Sequence, residues 1–479
     1  MTSFSVSGFS CVEATGDISP NSHLAAAGII HISKIAFGSC IKPSTYESST
    51  FWGDVRKFNP DLWLWLGDNM YADGIDLDYK RREYNRVRDE PSYSSHGLVK
   101  PDAKIPVMAT WDDHDFGSNN AGNNYVCLKQ SQDEFVIHFN IPPTDPRHTD
   151  YPDGQQKGVY NAKMFPQPGL HDNAVHVIML DARTDRDPTY STYGNCEGAN
   201  SHMLSDEQWQ WLDTQLEETS IVKIIASGIQ VLQPTDLTRT QTTYCADDSH
   251  SGGDTTTFLD SIKSVSEDSN WVGTNYESWG EMPKERLKLL GKAQKAINDG
   301  KTKAVIFVSG DQHWGELMAK RMPDSPNFGS SQVLYEITSS GIYQNWSGMD
   351  GNSNRLRKRS ADHQGSGPYN QACVFPWIYK GQKYWDCAMP DEEELWCSTK
   401  TDESDNHVGG HWGFCGPMEE ELAQETFSNS SNTCGQSKYA VCTAAANYGT
   451  LEFDFQNNKI KMGVRLPEED EEISHIISY

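Results

Sequence analysis

The sequence predicts an α/β protein, on three observations. From residue 34 onward, short apolar runs of strand length alternate with longer helix-periodic segments, the pattern of strands joined by helices. Segments 450–455 and 459–464 flank Gln456-Asn457-Asn458 as a hairpin, which adds antiparallel pairing. Four of the apolar runs end directly in turns rich in metal-binding side chains, at the carboxyl ends of strands where open α/β sheets place their sites.

Residues 1–33 read as a poorly patterned lead-in. Runs 34–39, 61–66, 105–110, 174–180, 222–226, 304–309 and 333–338 read as strands, bounded by Gly, Asp, Asn and Ser. Segments 79–90, 131–139, 206–217 and 284–298 read as helices. The third starts on a capping box, Ser205 with Gln208 three residues later. Its apolar positions Trp209, Leu212 and Leu216 share one face, and Trp211 falls off that stripe. No internal repeat is visible. Residues 234–277 and 345–442 are weakly patterned; loops that long inside a compact domain are usually functional or disordered, and here they could roof a site on the strand ends.

At 479 residues, with 36% hydrophobic and 22% charged residues, the chain can bury a large core. No apolar run approaches the roughly 20 residues needed to span a bilayer. A formal net charge of −27 argues against a nucleic-acid-binding surface, which needs Lys and Arg to neutralise phosphates. It also repels anionic substrates at long range, so a phosphate ester would need local cations. Residues 1–15 show no basic and apolar signal-peptide pattern. Six of eleven cysteines, Cys373, Cys387, Cys397, Cys415, Cys434 and Cys442, fall in one loop-rich stretch. That reads as a disulfide framework and points to export; zinc binding is the rival, weakened by the lack of close CxxC pairs. Asn345-Trp346-Ser347 and Asn429-Ser430-Ser431 are glycosylation triplets, which add little.

The chemistry gathers at the strand ends. Gly67-Asp68-Asn69-Met70-Tyr71 places a carboxylate at a strand terminus, with a phenol three residues on that could reach the same cation. In Trp111-Asp112-Asp113-His114-Asp115, carboxylates this close repel unless a cation removes the conflict. In Gly310-Asp311-Gln312-His313, positions i and i+2 can face one centre, so Asp311 or His313 could ligate while the other orients. Cys40 is either inert packing or a thiolate ligand. A metal pair would lower the pKa of a bridging water, polarise phosphoryl oxygens and orient in-line attack. His114 is the candidate proton donor, with Asp113 as ligand and Asp115 as orienter. Arg183 could bind a phosphate oxygen or pair with Asp181 or Asp185.

In order along the chain, several pieces together resemble the PhoD-type alkaline phosphatase and phosphodiesterase family of metallophosphatases. They are Phe37-Gly38-Ser39-Cys40, Leu66-Gly67-Asp68 with Tyr71, Trp111-Asp112-Asp113-His114-Asp115 with Asn119, Leu180-Asp181-Ala182-Arg183, the helix at 204–212 before 224–231, and Ser309-Gly310-Asp311-Gln312-His313. The likeness covers residues 34–345, more loosely 448–464. It implies two mixed β-sheets packed as a sandwich flanked by helices. It also implies a ferric ion held with help from Cys and Tyr, with calcium completing the cluster; Mg, Mn or Zn are the other candidates. Carried over, Cys40, Asp68 and Tyr71 are iron ligands with Asp68 bridging. Asp113 is a ligand of the second metal, His114 the adjacent acid, and Asp311 and His313 the closing ligands. Asn119 and Arg183 are expected at the substrate. Two departures stand out. Only 33 residues precede the first strand, so the immunoglobulin-like domain of well-known bacterial members is not expected, and Ser227-Gly228-Ile229-Gln230 lacks the His that many metallophosphatases place there.

The expected organisation is a lead-in at 1–33, a metallophosphatase core at 34–345, a Cys-rich insertion or lid at 346–447, and a hairpin completing the core plus a tail at 448–479. The expected function is hydrolysis of small-molecule phosphate mono- or diesters by a metal-activated hydroxide. Two rivals remain: a phospholipase D-like or other specialised phosphodiesterase on the same site, and a decayed metallophosphatase scaffold that only binds. The sequence leaves the oligomeric state open.

Overall fold

A computed structural model describes residues 31–41, 49–90, 105–167, 174–187, 202–232, 277–342, 377–384, 396–415 and 445–479, apart from positions 323, 324, 326, 468 and 469. It also describes short pieces at 11–12, 14, 25–26, 93, 361–362, 374 and 441–443. The glycosylation triplets, most of the 234–277 loop, and Cys196, Cys245, Cys373, Cys387 and Cys434 lie outside these residues.

Two seven-stranded mixed sheets face each other. The first runs Ala25–Ala26, Pro106–Thr110, Leu62–Leu66, Lys34–Gly38, Tyr448–Asp454, Lys459–Leu466, Glu471–Ser478. Its first four strands are parallel and the last three antiparallel. The second runs Val441–Thr443, Gly315–Met322, Gln332–Ser339, Ala304–Ser309, Val222–Ser227, Val175–Met179, Asn161–Phe165, with parallel strands at its centre. Side chains alternate across each strand, so Leu62, Leu64 and Leu66 enter the core between the sheets while Trp63 and Trp65 face the other way. There helices Ser49–Phe58, Leu77–Asp89 and Leu128–His138 cover them. Helices Asp206–Glu217 and Pro283–Asn298 cover the outer face of the second sheet. With both faces of both sheets buried, the central strands become unbroken apolar runs. The four layers match the expected helix-flanked sandwich.

The helix at Asp206–Glu217 starts where expected, with the Ser205 hydroxyl accepting from Gln208 N–H. Trp211, off its apolar stripe, packs on Tyr160 at 4.8 Å between ring centroids.

The residues before position 34, expected to be a lead-in, contribute to the core. Ala25–Ala26 pairs with Pro106–Val107, and Cys11 is disulfide-bonded to Cys127, 116 residues away. Val12 N–H donates to the Ile75 carbonyl (3.1 Å) and the Val12 carbonyl accepts from Leu77 N–H (3.1 Å), strapping the loop that follows Tyr71. A cross-link closing so long a loop restricts the unfolded chain strongly. Cys11→Ser should therefore cost about 2–4 kcal/mol in denaturant unfolding, and reductant should destabilise the wild type by at least that much and the variant by less.

Candidate metal centre

Four turns meet at the carboxyl ends of the two sheets, those at Cys40, Asp68, Asp112–Asp113 and Asp311–His313. Cys40, Asp68, Asp311 and His313 all lie in the left-handed region, with φ of 61°, 48°, 69° and 61°. Non-glycine residues rarely adopt it, and such strain collects at functional sites. The turns also touch. A Cβ on Gly67 (φ 98°) would come within 2.4 Å of Asp112 Cβ, and one on Gly310 within 2.5 Å of Ser39 Oγ. Glycine at both places lets the turns close around one spot.

The donors fall into overlapping groups, the donor atoms of each within 4.8 Å of one another: Cys40, Asp68 and His313; Asp68, Asp113 and His114; Asp68, Asp112, Asp113 and Asp311. Asp68 belongs to all three. Tyr71 joins the first, its hydroxyl donating to Asp68 Oδ2 (3.0 Å) and 3.2 Å from His313 Nε2. Asp112 is a donor that spacing alone could not separate from its neighbours; its Oδ2 is buried without a hydrogen-bond partner.

Such a set fits cations. Burial pushes the Asp68 carboxyl well above its usual range, and Asp113, Asp112 and Asp115 add to this against the pull of His114. Burial also raises Asp311, reinforced by Asp112 and Asp113, and pushes Asp112 up to about 7 despite Arg183. Against the same upward push, His114 and Arg183 hold Asp113 below the normal carboxylate range. Burial and the neighbouring Asp68 raise both the Cys40 thiol and the Tyr71 phenol. Carboxylates that must take up protons to sit together are the signature of a place where positive charge belongs.

His114 lies beside this cluster, and its orienter differs from the expected one. Its Nδ1 is 2.8 Å from Asp73 Oδ1. Asp115 instead accepts the backbone N–H groups of Asp112 (2.7 Å) and Asp68 (3.2 Å) and the Asn69 amide (2.5 Å), pinning one turn to the other. Lys80 secures the back of this arrangement by donating to the Asp115 carbonyl (2.9 Å). Burial penalises the His114 imidazolium, but Asp73, Asp113 and Asp68 outweigh it and raise its pKa well above the usual value.

Of the two residues expected at the substrate, Asn119 is exposed, next to Asn120, whose N–H donates to Asp113 Oδ2 (2.6 Å). Arg183 is fully buried: Nε donates to Asp112 Oδ1 at 2.6 Å and Nη1 lies 2.7 Å from Glu277 Oε2. Neither predicted carboxylate partner receives its guanidinium; Asp181 accepts only its backbone N–H. Gln230 is tied to Thr338 (2.7 Å) and Glu316 (3.1 Å). In the Cys-rich region Cys397 is disulfide-bonded, which overturns zinc ligation for that cysteine. Trp377, Tyr384 and Trp396 form a small separate core there.

Residues 170–384 match the family model "PhoD-like phosphatase". That span holds Arg183, Asp311 and His313; Cys40, Asp68, Tyr71, Asp113 and His114 lie before it. Residues 373–415 match "Fibronectin type II domain". A curated relative, the cation-independent mannose-6-phosphate receptor of Homo sapiens, is 44% identical over 43 residues, 9% of this chain and 2% of the receptor's length. Among solved structures, that of PhoD aligns with TM-score 0.49 and 15% identity over 92% of this chain and 67% of its own. A dimetal phosphatase from Danio rerio aligns with TM-score 0.34 and 14% identity over 66% of this chain and 90% of its own.

Proposed function

We propose that this chain, which carries a PhoD-like phosphatase domain over residues 170–384, is a phosphoric ester hydrolase acting on small-molecule mono- or diesters with two metal ions. The observation that carries this reading is Asp68, the one carboxylate common to all three donor groups. A shared carboxylate is what two adjacent cations need. On one side of it stand Cys40, Tyr71 and His313, on the other Asp112, Asp113 and Asp311. Thiolate, phenolate and imidazole suit a ferric ion; an all-carboxylate group suits calcium, magnesium or manganese. Bound there, such ions would supply Lewis-acid polarisation of the ester and a water acidic enough to attack at neutral pH.

The chain's own residues do the rest. With Asp73 holding Nδ1, the His114 ring keeps its other nitrogen for the proton that the leaving oxygen needs. Arg183 is committed to Asp112 and Glu277, so charge on the substrate falls to the metals, and Asn119 is the exposed polar group nearby in sequence. The acidic surface, at −27, makes that local positive charge necessary. The Cys11–Cys127 and Cys397 disulfides support an oxidising, extracytoplasmic location. No helix among the described residues is long and apolar enough to cross a membrane.

The test is turnover of a phosphomonoester and a phosphodiester by metal-replete protein, with and without a strong chelator. Chelator-sensitive hydrolysis of either supports the proposal; turnover of neither class overturns it. One pH prediction follows. A raised His114 pKa keeps the acid protonated to higher pH, so activity is lost as pH rises through that value. Cations on Asp68 and Asp113 would cancel their share of the upward push and leave Asp73 as the main support. Asp73→Asn should therefore move the alkaline limb of kcat to lower pH, with the acidic limb in place; an unmoved alkaline limb would count against His114 as the acid.

A further inference from the structure

Ser340, just beyond the strand Gln332–Ser339, touches two candidate ligands at once. Its hydroxyl lies 2.9 Å from Cys40 Sγ and accepts the backbone N–H of His313 at 2.7 Å. It is fully buried and its own N–H donates to the Trp314 carbonyl at 3.0 Å, so the side chain cannot swing away cheaply. Just beyond it, Ile342 N–H donates to the Ser39 carbonyl (3.2 Å), laying this segment across the Cys40 turn. A hydroxyl has one proton. Ser340 takes its incoming hydrogen bond from His313, and its own proton has the sulfur as acceptor. The other nearby hydroxyl, Ser39, divides its proton: it donates to the Ser339 carbonyl at 3.1 Å and, at a longer 3.5 Å, to the sulfur.

Resting on the metal-site reading above, we infer that Ser340 is the positioning residue of the Cys40 thiolate: it donates a hydrogen bond to the sulfur while fixing the backbone of His313. A metal-bound cysteine has lost its proton, so the bond can run only from oxygen to sulfur. It draws electron density off the sulfur, makes the thiolate a weaker donor to the metal, and resists its oxidation. One hydroxyl from the second sheet thus sets the register between a ligand of the first sheet and one of its own. Outer-shell partners of this kind orient metal ligands and tune the ion they hold.

The probe is cobalt(II) added to metal-stripped protein and followed by absorption. Wild type should show a sulfur-to-cobalt charge-transfer band. Ser340→Ala should move that band to lower energy, because the sulfur regains density, and should weaken cobalt binding about 10-fold, because the lost anchor of His313 outweighs the stronger thiolate. Ser340→Thr, which keeps the hydroxyl, should restore the band, and Ser39→Ala, which removes only the longer contact, should move it far less than Ser340→Ala does. A band unmoved by Ser340→Ala with cobalt affinity unchanged overturns the inference and leaves the metal centre standing. Absence of any such band in wild type overturns the inference together with Cys40 as a ligand. Should Ser340→Ala fail to fold, Ser39→Ala cobalt protein refolded in D2O, which leaves Ser340 as the hydroxyl at the sulfur, decides the matter by resonance Raman. A deuterium shift of the cobalt–sulfur stretch supports the bond, and an unshifted stretch overturns it.

Discussion

Asp68→Asn should lower turnover about 10³-fold or more, roughly 4 kcal/mol of transition-state stabilisation, and yet make the metal-free protein harder to melt. Both effects have one origin. Asp68 is the carboxylate common to every donor group, so on the two-ion proposal its loss removes a ligand from both cations. Without metal the same residue is a liability. It is buried beside Asp112, Asp113 and Asp311, and its raised pKa records the cost of charging it there. An acid whose pKa is higher folded than unfolded penalises the fold as pH rises from the unfolded value, about 4, toward the folded one. Metal-stripped wild type should thus lose stability across that rise, and the Asn variant should lose less. Metal analysis, steady-state kinetics and melting of stripped protein at several pH values test this together. Full metal content with near-normal turnover in the variant would end the two-ion reading.

Arg183→Met should unfold or nearly unfold the protein, at a cost of about 3–5 kcal/mol, without acting through substrate affinity. The guanidinium is wholly enclosed and faces Asp112 and Glu277. Glu277 is also held by Arg186. Removing Arg183 strips Asp112, already pushed up to about 7, of its buried guanidinium partner and leaves Glu277 to Arg186 alone. Breaking one half of a buried ion pair is far costlier than never having built it. Chemical unfolding should show the loss, and whatever folded variant remains should keep a near-normal KM. A stable variant with a greatly raised KM would instead return Arg183 to the substrate.

The sequence made the strand ends legible because sheets covered on both faces write themselves as apolar runs, and the turn after each run carried chemistry no core would tolerate. It hid elements whose pattern is mixed. Gly315–Met322 carries Glu316 and Lys320, both buried, so its run of letters looks unlike a central strand. Glu471–Ser478 is an edge strand whose open face mixes Glu472, Ser474, Ile476 and Ser478, and it reads as a tail. Helix Ser49–Phe58 begins without an acidic first turn, and no start signal announced it. At the centre, the candidate donors were written locally, but their partnerships were not. Asp73 meets His114 across 41 residues and Arg186 meets Glu277 across 91, distances over which spacing carries no information. The choice of Asp115 as orienter followed sequence proximity, whereas backbone geometry turned that carboxylate toward N–H groups.

The strand that ends at Cys40 sits between Leu62–Leu66, close in the chain, and Tyr448–Asp454, some 400 residues on. Pairing of Phe37 with Gly449 and Ile35 with Leu451 therefore closes one of the longest loops in the fold. Closure over such separations is slow, and until it occurs Lys34–Gly38 is an open, apolar edge able to recruit another chain. Maturation of this protein is thus a race between late strand docking and aggregation. Cys40 follows that strand directly, so the donor group it forms with Asp68 and His313 is assembled late as well.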